Sequence, residues 1–317
     1  MDQILTLSVT TFIVITAIWE VFAGRTREGR KTRQDWKVAF LATFMMVAIQ
    51  RPLMLLLITL ALTGLFPASA GSLGWLQSEY FWPTLIAFFC IEEFLHGSFH
   101  LFAHSRRPKN KVLQWVQAFY KMSHRPHHLA GGQDSKGQLS VTQTFVNGWA
   151  WWFIMPNYAF QLVCLYLGLV EVFLVATAFK GLWAAQTHVN WNWDLYFHNH
   201  KWAWVRKTMW ALAHVITFPT QHHHHHSRGP NSAKNVTATL AIYDWLIFGT
   251  LAIEKEKPKM YGWRQNDDEA NSVLKRYFYW DVRNFMPGGA VKAKARAEAK
   301  ALKKAGKQDE SKAAEAA

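Results

Sequence analysis

Cysteine is scarce in this chain of 317 residues: Cys90 and Cys164 are its two copies, and both lie inside apolar runs. Two such residues cannot supply an iron–sulfur cluster, a zinc finger or a disulfide framework. The sequence also contains no dinucleotide-binding glycine fingerprint and no haem-attachment motif. We therefore predict that the chain itself binds no haem, flavin or nicotinamide.

Acidic residues are also few, because 21 Asp and Glu stand against 35 Lys and Arg, for a formal net charge of +14. The basic residues are not interleaved along one soluble face, as a nucleic-acid footprint would require. They lie in loops beside apolar runs and in the tail, a placement typical of contact with anionic lipid headgroups. The pattern predicts a lipid bilayer as a partner and no nucleic acid.

Long apolar runs and 17 tryptophans indicate a membrane protein, because Trp gathers where a bilayer meets water. Residues 3–23 are long enough to cross about 30 Å of hydrocarbon as a helix. No basic segment precedes them, so we expect a retained span rather than a cleaved signal peptide. A second run, 38–66, contains Arg51 and Pro52, where we expect a kink and, for the arginine, either a partner or a route to the membrane interface. A third run, 83–105, begins apolar and ends polar.

Residues 144–183 form a further apolar stretch with the sequence MPNY (155–158) near its middle. An antiparallel hairpin of two short spans is the simplest prediction, and a re-entrant pair that never fully crosses is the alternative. The loops after the first and third runs are rich in Lys and Arg, so we place both in the cytoplasm.

The predicted fold is all-α: a polytopic membrane helical bundle of about four to five spans or span-like helices, with a cytoplasmic helical cap. Four regions are expected along the chain. They are N-terminal transmembrane helices and loops (1–82), a histidine-rich domain (83–255) that includes the hairpin 144–183, a C-terminal cytoplasmic segment (256–290), and a disordered or solvated Ala/Lys/Glu tail (291–317).

All 15 histidines lie between His96 and His226, and the topology above puts nearly all of them at or beyond the cytoplasmic edge. The first three, His96, His100 and His104, are spaced i, i+4 and i+8, which stacks their imidazoles on one helix face. Glu92 continues that stripe one turn earlier, and we predict that its carboxylate holds His96 in one tautomer.

The pattern H-x-x-H-H occurs twice. The first box contains His124, His127 and His128, and the second contains His222, His225 and His226. His188 is a further candidate ligand, whereas His198, His200 and His214 are weaker ones. Nine imidazoles suit two metal ions with four or five nitrogen ligands each, which leaves positions open for a small molecule. Neutral imidazole binds Zn, Fe, Cu or Ni, so the ligand type does not name the metal.

These motifs resemble those of the sterol desaturase and fatty acid hydroxylase superfamily, which are integral-membrane di-iron enzymes. The likeness extends from about His96 to Thr250. It comprises HLFAH, HRPHH, His188, PTQHHHHHS with Pro219, Asn235 and YDWLIFGT. The family also has a histidine pair, H-x(3,4)-H, before the first H-x-x-H-H box. The long interval between His104 and His124 allows two readings of that pair: either His96 with His100 or His100 with His104.

The resemblance implies a set of iron ligands: His100, His104, His124, His127, His128, His188, His222, His225 and His226. It also implies that Asn235 and Asp244 orient ligands from an outer shell. The implied activity is that of a non-haem di-iron monooxygenase, with O2 as co-substrate, which hydroxylates an unactivated C–H bond of a lipid or other hydrophobic substrate. Because the chain has no redox motif of its own, a separate electron-transfer protein and reductase are expected.

Two other functions remain open at this stage. A desaturase would use the same metals, and product mass distinguishes it from a hydroxylase. A His-rich divalent-metal transporter would need ionisable ligands near the midplane of several spans, and metal flux would reveal it. Under each of them we expect an integral membrane protein with its histidine cluster on the cytoplasmic side.

Overall fold

The computed structural model describes residues 11–20, 22, 33–129, 139–262, 272–286, 288–289 and 298. Within these ranges the regular secondary structure is helical throughout, and an isolated antiparallel bridge joins Ser227 to Tyr261. The helices are α1 (Thr11–Glu20), α2 (Arg33–Leu65), α3 (Gly74–Glu79), α4 (Phe81–His104), α5 (Lys111–His128), α6 (Trp151–Ile154), α7 (Pro156–Tyr166), α8 (Val170–Thr187), α9 (Asp194–His198), α10 (Ala203–Leu212), α11 (Pro219–His225), α12 (Ala241–Tyr243) and α13 (Val273–Tyr277). The prediction of an all-α protein is confirmed.

Two of these helices, α2 and α4, are long and apolar enough to cross a membrane. Large apolar side chains on α2 are exposed, with Phe40 at 75% and Leu65 at 71% of their surface, as a lipid-facing helix requires. The predicted span at 3–23 is described only in part, as α1 and residue 22. Most of the predicted tail also lies outside the described residues.

The predicted interruption of the second run is a change of helix type within α2. Residues Met45–Gln50 form a π-helical segment, and α-helical geometry resumes at Arg51. Pro52 has no N–H to donate and crowds the preceding turn, and a wide π turn relieves both problems without ending the helix.

The stretch 144–183 does form a hairpin, but its turn is not at MPNY. Pro156 instead begins α7, where a missing N–H costs nothing. The chain reverses between α7 and α8, where Gly168 has a φ of 97°. A side chain there would be strained, and its Cβ would lie 2.9 Å from the backbone of Gly71. The sequence pattern did not locate this turn, because a proline can start a helix as well as end one.

Close packing of α5 against the following loop sets the position of the first H-x-x-H-H box. The N–H of Gly148 donates to the carbonyl oxygen of Ser123 at 2.7 Å. A Cβ at Gly148 would lie 2.6 Å from that oxygen, so the approach requires glycine. Deeper in the bundle, Phe88 of α4 packs with Cys164 of α7 and Val172 of α8. These contacts bring the histidine-bearing ends of the helices together.

Candidate metal centre

The predicted ligands come from the ends of four helices. The structure places His100 and His104 at the end of α4, the first box at the end of α5, His188 directly after α8, and the second box in and directly after α11. Helix ends can converge from several directions without a crossing of the helices themselves. The four segments are therefore distant in sequence and adjacent in space.

The nitrogens form two groups, in each of which one ring nitrogen per residue lies within 4.8 Å of the others. The five-histidine group consists of His100, His104, His124, His128 and His225. The four-histidine group consists of His127, His188, His222 and His226. The two groups are neighbours, because the rings of His128 and His226 stack with their centroids 4.3 Å apart.

Each H-x-x-H-H box supplies histidine ligands to both groups. In the first box His124 and His128, one helical turn apart, enter the five-histidine group, whereas His127 points into the four-histidine group. The second box has the reverse arrangement. Its pair His222 and His226 enters the four-histidine group, and His225 enters the five-histidine group. The spacing of the boxes is thus what joins the two groups into one centre.

The Nε2 atoms of the rings face one another. In the five-histidine group, Nε2 of His100 lies 2.8 Å from that of His124 and 3.1 Å from that of His225. In the four-histidine group, Nε2 of His188 lies 3.3 Å from that of His127 and 3.0 Å from that of His222.

Backbone carbonyls determine the tautomer of several rings. In the five-histidine group, Nδ1–H of His100 donates to the carbonyl oxygen of Val236 at 2.6 Å, and Nδ1–H of His225 donates to that of Lys234 at 2.9 Å. A carbonyl can only accept, so each Nδ1 carries the proton and each Nε2 of a neutral ring carries a lone pair. Two lone pairs then face each other, an arrangement that repels unless a cation lies between them.

The same arrangement occurs in the four-histidine group. Nδ1–H of His127 donates to Val146 at 3.1 Å, and Nδ1–H of His188 donates to Ala184 at 2.6 Å. Their Nε2 lone pairs therefore also face each other. This donor set fits a metal ion in each group, since a cation turns both repulsions into ligand bonds.

Burial keeps these rings neutral. It lowers the pKa of His127 to about 4, against hydrogen bonds to backbone that raise it, and it lowers the pKa of His225 to about 3. The pKa values of four more ligands lie well below the usual histidine value. Burial is the main cause and the charge of neighbouring imidazoles is the second, and the four ligands are His124, His128, His222 and His226. Neutral imidazole is the form that binds metals.

Asp244 lies behind the five-histidine group and is fully buried. Its carboxylate accepts hydrogen bonds from the N–H groups of Val236 and Thr237 and from the hydroxyls of Thr237 and Thr250. Because the carbonyl of Val236 accepts from His100, the carboxylate fixes the backbone that orients this ring. Asp244 thus supports His100 through the backbone of Val236.

Asn235 has a comparable place behind His225. Its φ of 50° is in the left-handed region, which asparagine tolerates better than most side chains. Its side chain donates to the carbonyls of Gln221 and Ala252 and accepts from the N–H of Ala252. The residue just before it, Lys234, carries the carbonyl to which His225 donates.

The prediction for Glu92 is wrong. Its carboxylate accepts from Asn157 at 2.7 Å and Gln161 at 2.9 Å and pairs with Lys180 at 2.5 Å, and His96 is not among these partners. A buried carboxylate is stabilised most by a cation and amide donors, and α7 and α8 present these to Glu92.

Of the two readings of the H-x-x-x-H pair before the first box, the geometry agrees with His100 and His104, because both lie in the five-histidine group and His96 does not.

Two residues that support the site were not predicted from the sequence. Asn147 accepts from Nδ1–H of His124 at 3.2 Å, and Glu93 accepts from the N–H groups of Ala238 and Thr239. The adjacent acids EE in an apolar run were a signal for Glu93, whereas a lone asparagine in a loop offers none.

A cavity of about 110 Å³ lies beside the two groups. Its wall contains His100 and His124 from the five-histidine group and His127, His188 and His222 from the four-histidine group. Metal ions held by the two groups would therefore be open to one shared cavity, as a site that acts on a small molecule requires.

Comparison of the chain with family models, curated proteins and solved structures gave no match. The chemistry of the centre is therefore inferred from its residues and their geometry.

Proposed function

We propose that this protein is a membrane-bound non-haem di-iron oxygenase of the sterol desaturase and fatty acid hydroxylase type. It hydroxylates an unactivated C–H bond of a lipid or other hydrophobic substrate, with O2 and electrons from a separate carrier and reductase. The observation that carries the proposal is the pair of adjacent, all-imidazole groups that share one cavity.

Several features favour iron over other metals. Five nitrogens in one group exceed the four ligands of a structural zinc site. Neither group contains a thiolate, which copper(I) and iron–sulfur centres prefer. Two bound iron ions would supply the reduction of O2 and the removal of a hydrogen atom from carbon, chemistry that no amino-acid side chain provides.

In the reaction, the protein itself would hold the metal ions, orient their histidine ligands and shield the site from water. The carbonyls of Val236, Lys234, Val146 and Ala184 keep Nε2 lone pairs directed inward. Burial of the rings excludes water, which would otherwise compete for the open positions and solvate the substrate. The proposed reaction needs no protein side chain to exchange a proton with the substrate.

The membrane arrangement that we propose has four span-like helices: α2, α4, α7 and α8. The tip of the α7–α8 hairpin hydrogen-bonds to the loop that joins α2 and α4, since the N–H of Gly71 donates to Tyr166 at 3.0 Å and the N–H of Leu73 donates to Leu167 at 2.8 Å. The hairpin therefore extends as deep as the ends of the two candidate spans. This favours two short spans over a re-entrant pair.

The histidine-bearing ends lie at the opposite face, which we assign to the cytoplasm because four basic residues follow α4 directly: Arg106, Arg107, Lys109 and Lys111. The cap would rest on the membrane surface through α10. Trp204 and Trp210 are exposed on this helix at 65% and 54%, beside the basic Arg206 and Lys207. That composition is typical of an interfacial helix.

The test uses protein purified without oxygen and loaded with iron. We expect close to two iron ions per chain. Cells that express the protein under ¹⁸O2 should contain a lipid heavier by one ¹⁸O atom, and cells with His222→Ala should lack it. The matched control, His214→Ala, changes a histidine outside both groups and should keep the product.

Two outcomes would replace the proposal. A product lighter by two hydrogens would identify a desaturase. Transport of Fe²⁺ or Zn²⁺ into proteoliposomes, without any oxidised lipid, would identify a transporter.

A further inference from the structure

An arginine near the middle of α2 pairs with no carboxylate among the described residues. Arg51 belongs to a candidate membrane span, where an ionisable side chain is costly and usually marks a functional position. The ion pairs of the described residues join other groups, and none of them includes Arg51. The sequence led us to expect either a partner for this cation or a route to the membrane interface, and the partner that the structure provides is an aromatic ring.

The ring belongs to Trp152. The guanidinium carbon of Arg51 lies 5.0 Å from the centroid of that ring, within the range of a cation–π contact. Trp152 is 4% exposed, and its ring stacks on Tyr158 with centroids 4.3 Å apart. The contact fixes the position of the guanidinium but leaves its N–H donors, which project in a planar fork, available to an acceptor.

Arg51, Trp152 and Tyr158 all line the cavity that reaches the histidines. Arg51 itself is exposed, whereas the histidines in the same wall are mostly buried. The arginine therefore lies at the mouth of the cavity, and the histidines lie at its inner end.

A second cation in the wall, Lys180, is already balanced. Its Nζ lies 2.5 Å from a carboxylate oxygen of Glu92 and 3.0 Å from one of Glu93. Both glutamates are buried, with exposures of 1% and 0%. Lys180 is thus already paired with two carboxylates, so Arg51 is the cation of this wall that remains for a ligand.

We propose that Arg51 is the anion-recognising residue of this cavity and that the substrate is an acidic amphiphile with a free carboxylate. The proposal rests on the function proposed above. The carboxylate accepts two parallel hydrogen bonds from the guanidinium at the mouth, and the hydrocarbon chain extends inward to the histidines. A neutral alcohol, ester or hydrocarbon would leave Arg51 without a counter-charge. The reacting carbon is consequently remote from the carboxylate.

Binding can be measured without any oxidation, on full-length protein in nanodiscs loaded with Zn²⁺ in place of iron. The probes are radiolabelled palmitate and hexadecanol, which share a chain length and differ in the head group. We expect palmitate to bind about tenfold or more tightly than hexadecanol, as a charge-assisted bidentate pair allows. Arg51→Gln should abolish this preference and leave hexadecanol binding unchanged. Arg51→Lys should keep only part of it, because a lysine cannot make the bidentate contact.

The matched control is Arg107→Gln, which removes an exposed arginine outside the cavity and should leave the preference intact. Equal binding of palmitate and hexadecanol by the wild type would overturn the proposal even if Arg51→Gln failed to fold. Tighter binding of lysophosphatidic acid than of palmitate, with the same dependence on Arg51, would also overturn it in favour of a phosphate headgroup.

Failure of this proposal and failure of the oxygenase function are distinguishable. Palmitate selectivity in the zinc-loaded protein, without any ¹⁸O-labelled lipid from the iron-loaded one, would leave the binding site standing and refute the oxygenase. Labelled lipid without palmitate selectivity would do the opposite.

Discussion

The five-histidine group and the four-histidine group differ in their number of ligands and in the number of rings that a hydrogen bond from Nδ1 holds. In the five-histidine group, His100, His124 and His225 each donate from Nδ1 to an acceptor of the protein. In the four-histidine group, His127 and His188 also donate from Nδ1, whereas the buried Nδ1 atoms of His222 and His226 have no hydrogen-bond partner among the described residues. The second group also has one ligand fewer.

The difference indicates a division of labour. A ring that is fixed through its second nitrogen is a better and more precisely oriented ligand. We therefore expect the five-histidine group to hold its metal ion more tightly. The four-histidine group should leave more coordination positions open, and His127, His188 and His222 place those positions on the cavity wall.

The largest effect on metal content and activity should follow from removal of one ligand from either group. His225→Ala and His222→Ala should each lower the metal content of the purified protein from about two ions to about one, and each should reduce product formation by about 100-fold or more. Metal analysis of the two variants beside His214→Ala, which lies outside both groups, gives the measurement. Retention of two ions by either variant would contradict the assignment of two separate groups.

A chelator should empty the groups in order. We expect two phases of metal release, with the four-histidine group about tenfold faster, because it has fewer ligands and fewer oriented rings. Time-resolved metal analysis after addition of chelator measures both phases. The fast phase should vanish in His222→Ala and persist in His225→Ala. A single phase in the wild type would show that the two groups do not differ as we infer.

Asp244→Asn should weaken one group and spare the other. The substitution replaces an acceptor of four hydrogen bonds by an amide that accepts fewer, so the loop that carries Val236 loses its support. We expect metal affinity of the five-histidine group to fall by about 10- to 100-fold, with the four-histidine group unchanged. Asp281→Asn is the control, because Asp281 pairs with the exposed Arg283 at the surface. Equal weakening of both groups would argue for a global effect.

The smallest effect concerns a glycine that positions both groups. Gly148→Ala should destabilise the protein by about 1–3 kcal/mol, because the new Cβ would meet the carbonyl of Ser123 in α5. Gly64→Ala, in α2 with no atom within 4 Å of the added Cβ, should be neutral or stabilising by up to about 1 kcal/mol. Thermal unfolding of the two variants gives the comparison, and equal melting temperatures would contradict it.

The two kinds of sequence signal performed differently. The spacing of the histidine boxes is a local property, since residues four apart share a helix face whatever surrounds the helix. All nine predicted ligands accordingly lie in the two groups. Hydropathy was a coarser guide. It found the helices α2 and α4, but it could not distinguish a proline that begins α7 from one that turns the chain.

The glutamates show where local reasoning stops. Glu92 and His96 are one turn apart, which made a contact between them plausible from sequence. Burial against α8 brought Lys180 within reach instead, and an opposite charge outweighs a neutral imidazole as a partner for a buried carboxylate. The neighbouring Glu93 acquired its role from the turn at Ala238 and Thr239, which is remote in sequence.

By itself the sequence determined that this is a helical chain with apolar segments of membrane-spanning length and with histidines at ligand spacing. These properties follow from periodicity and composition, which act within a few turns of one helix. The tertiary structure alone decided which histidine joins which group, which nitrogen of several rings faces inward, and which cation has no counter-charge among the described residues. Those outcomes depend on carbonyls and carboxylates brought from distant segments, because a hydrogen bond or an ion pair is set by distance in space and not by separation along the chain.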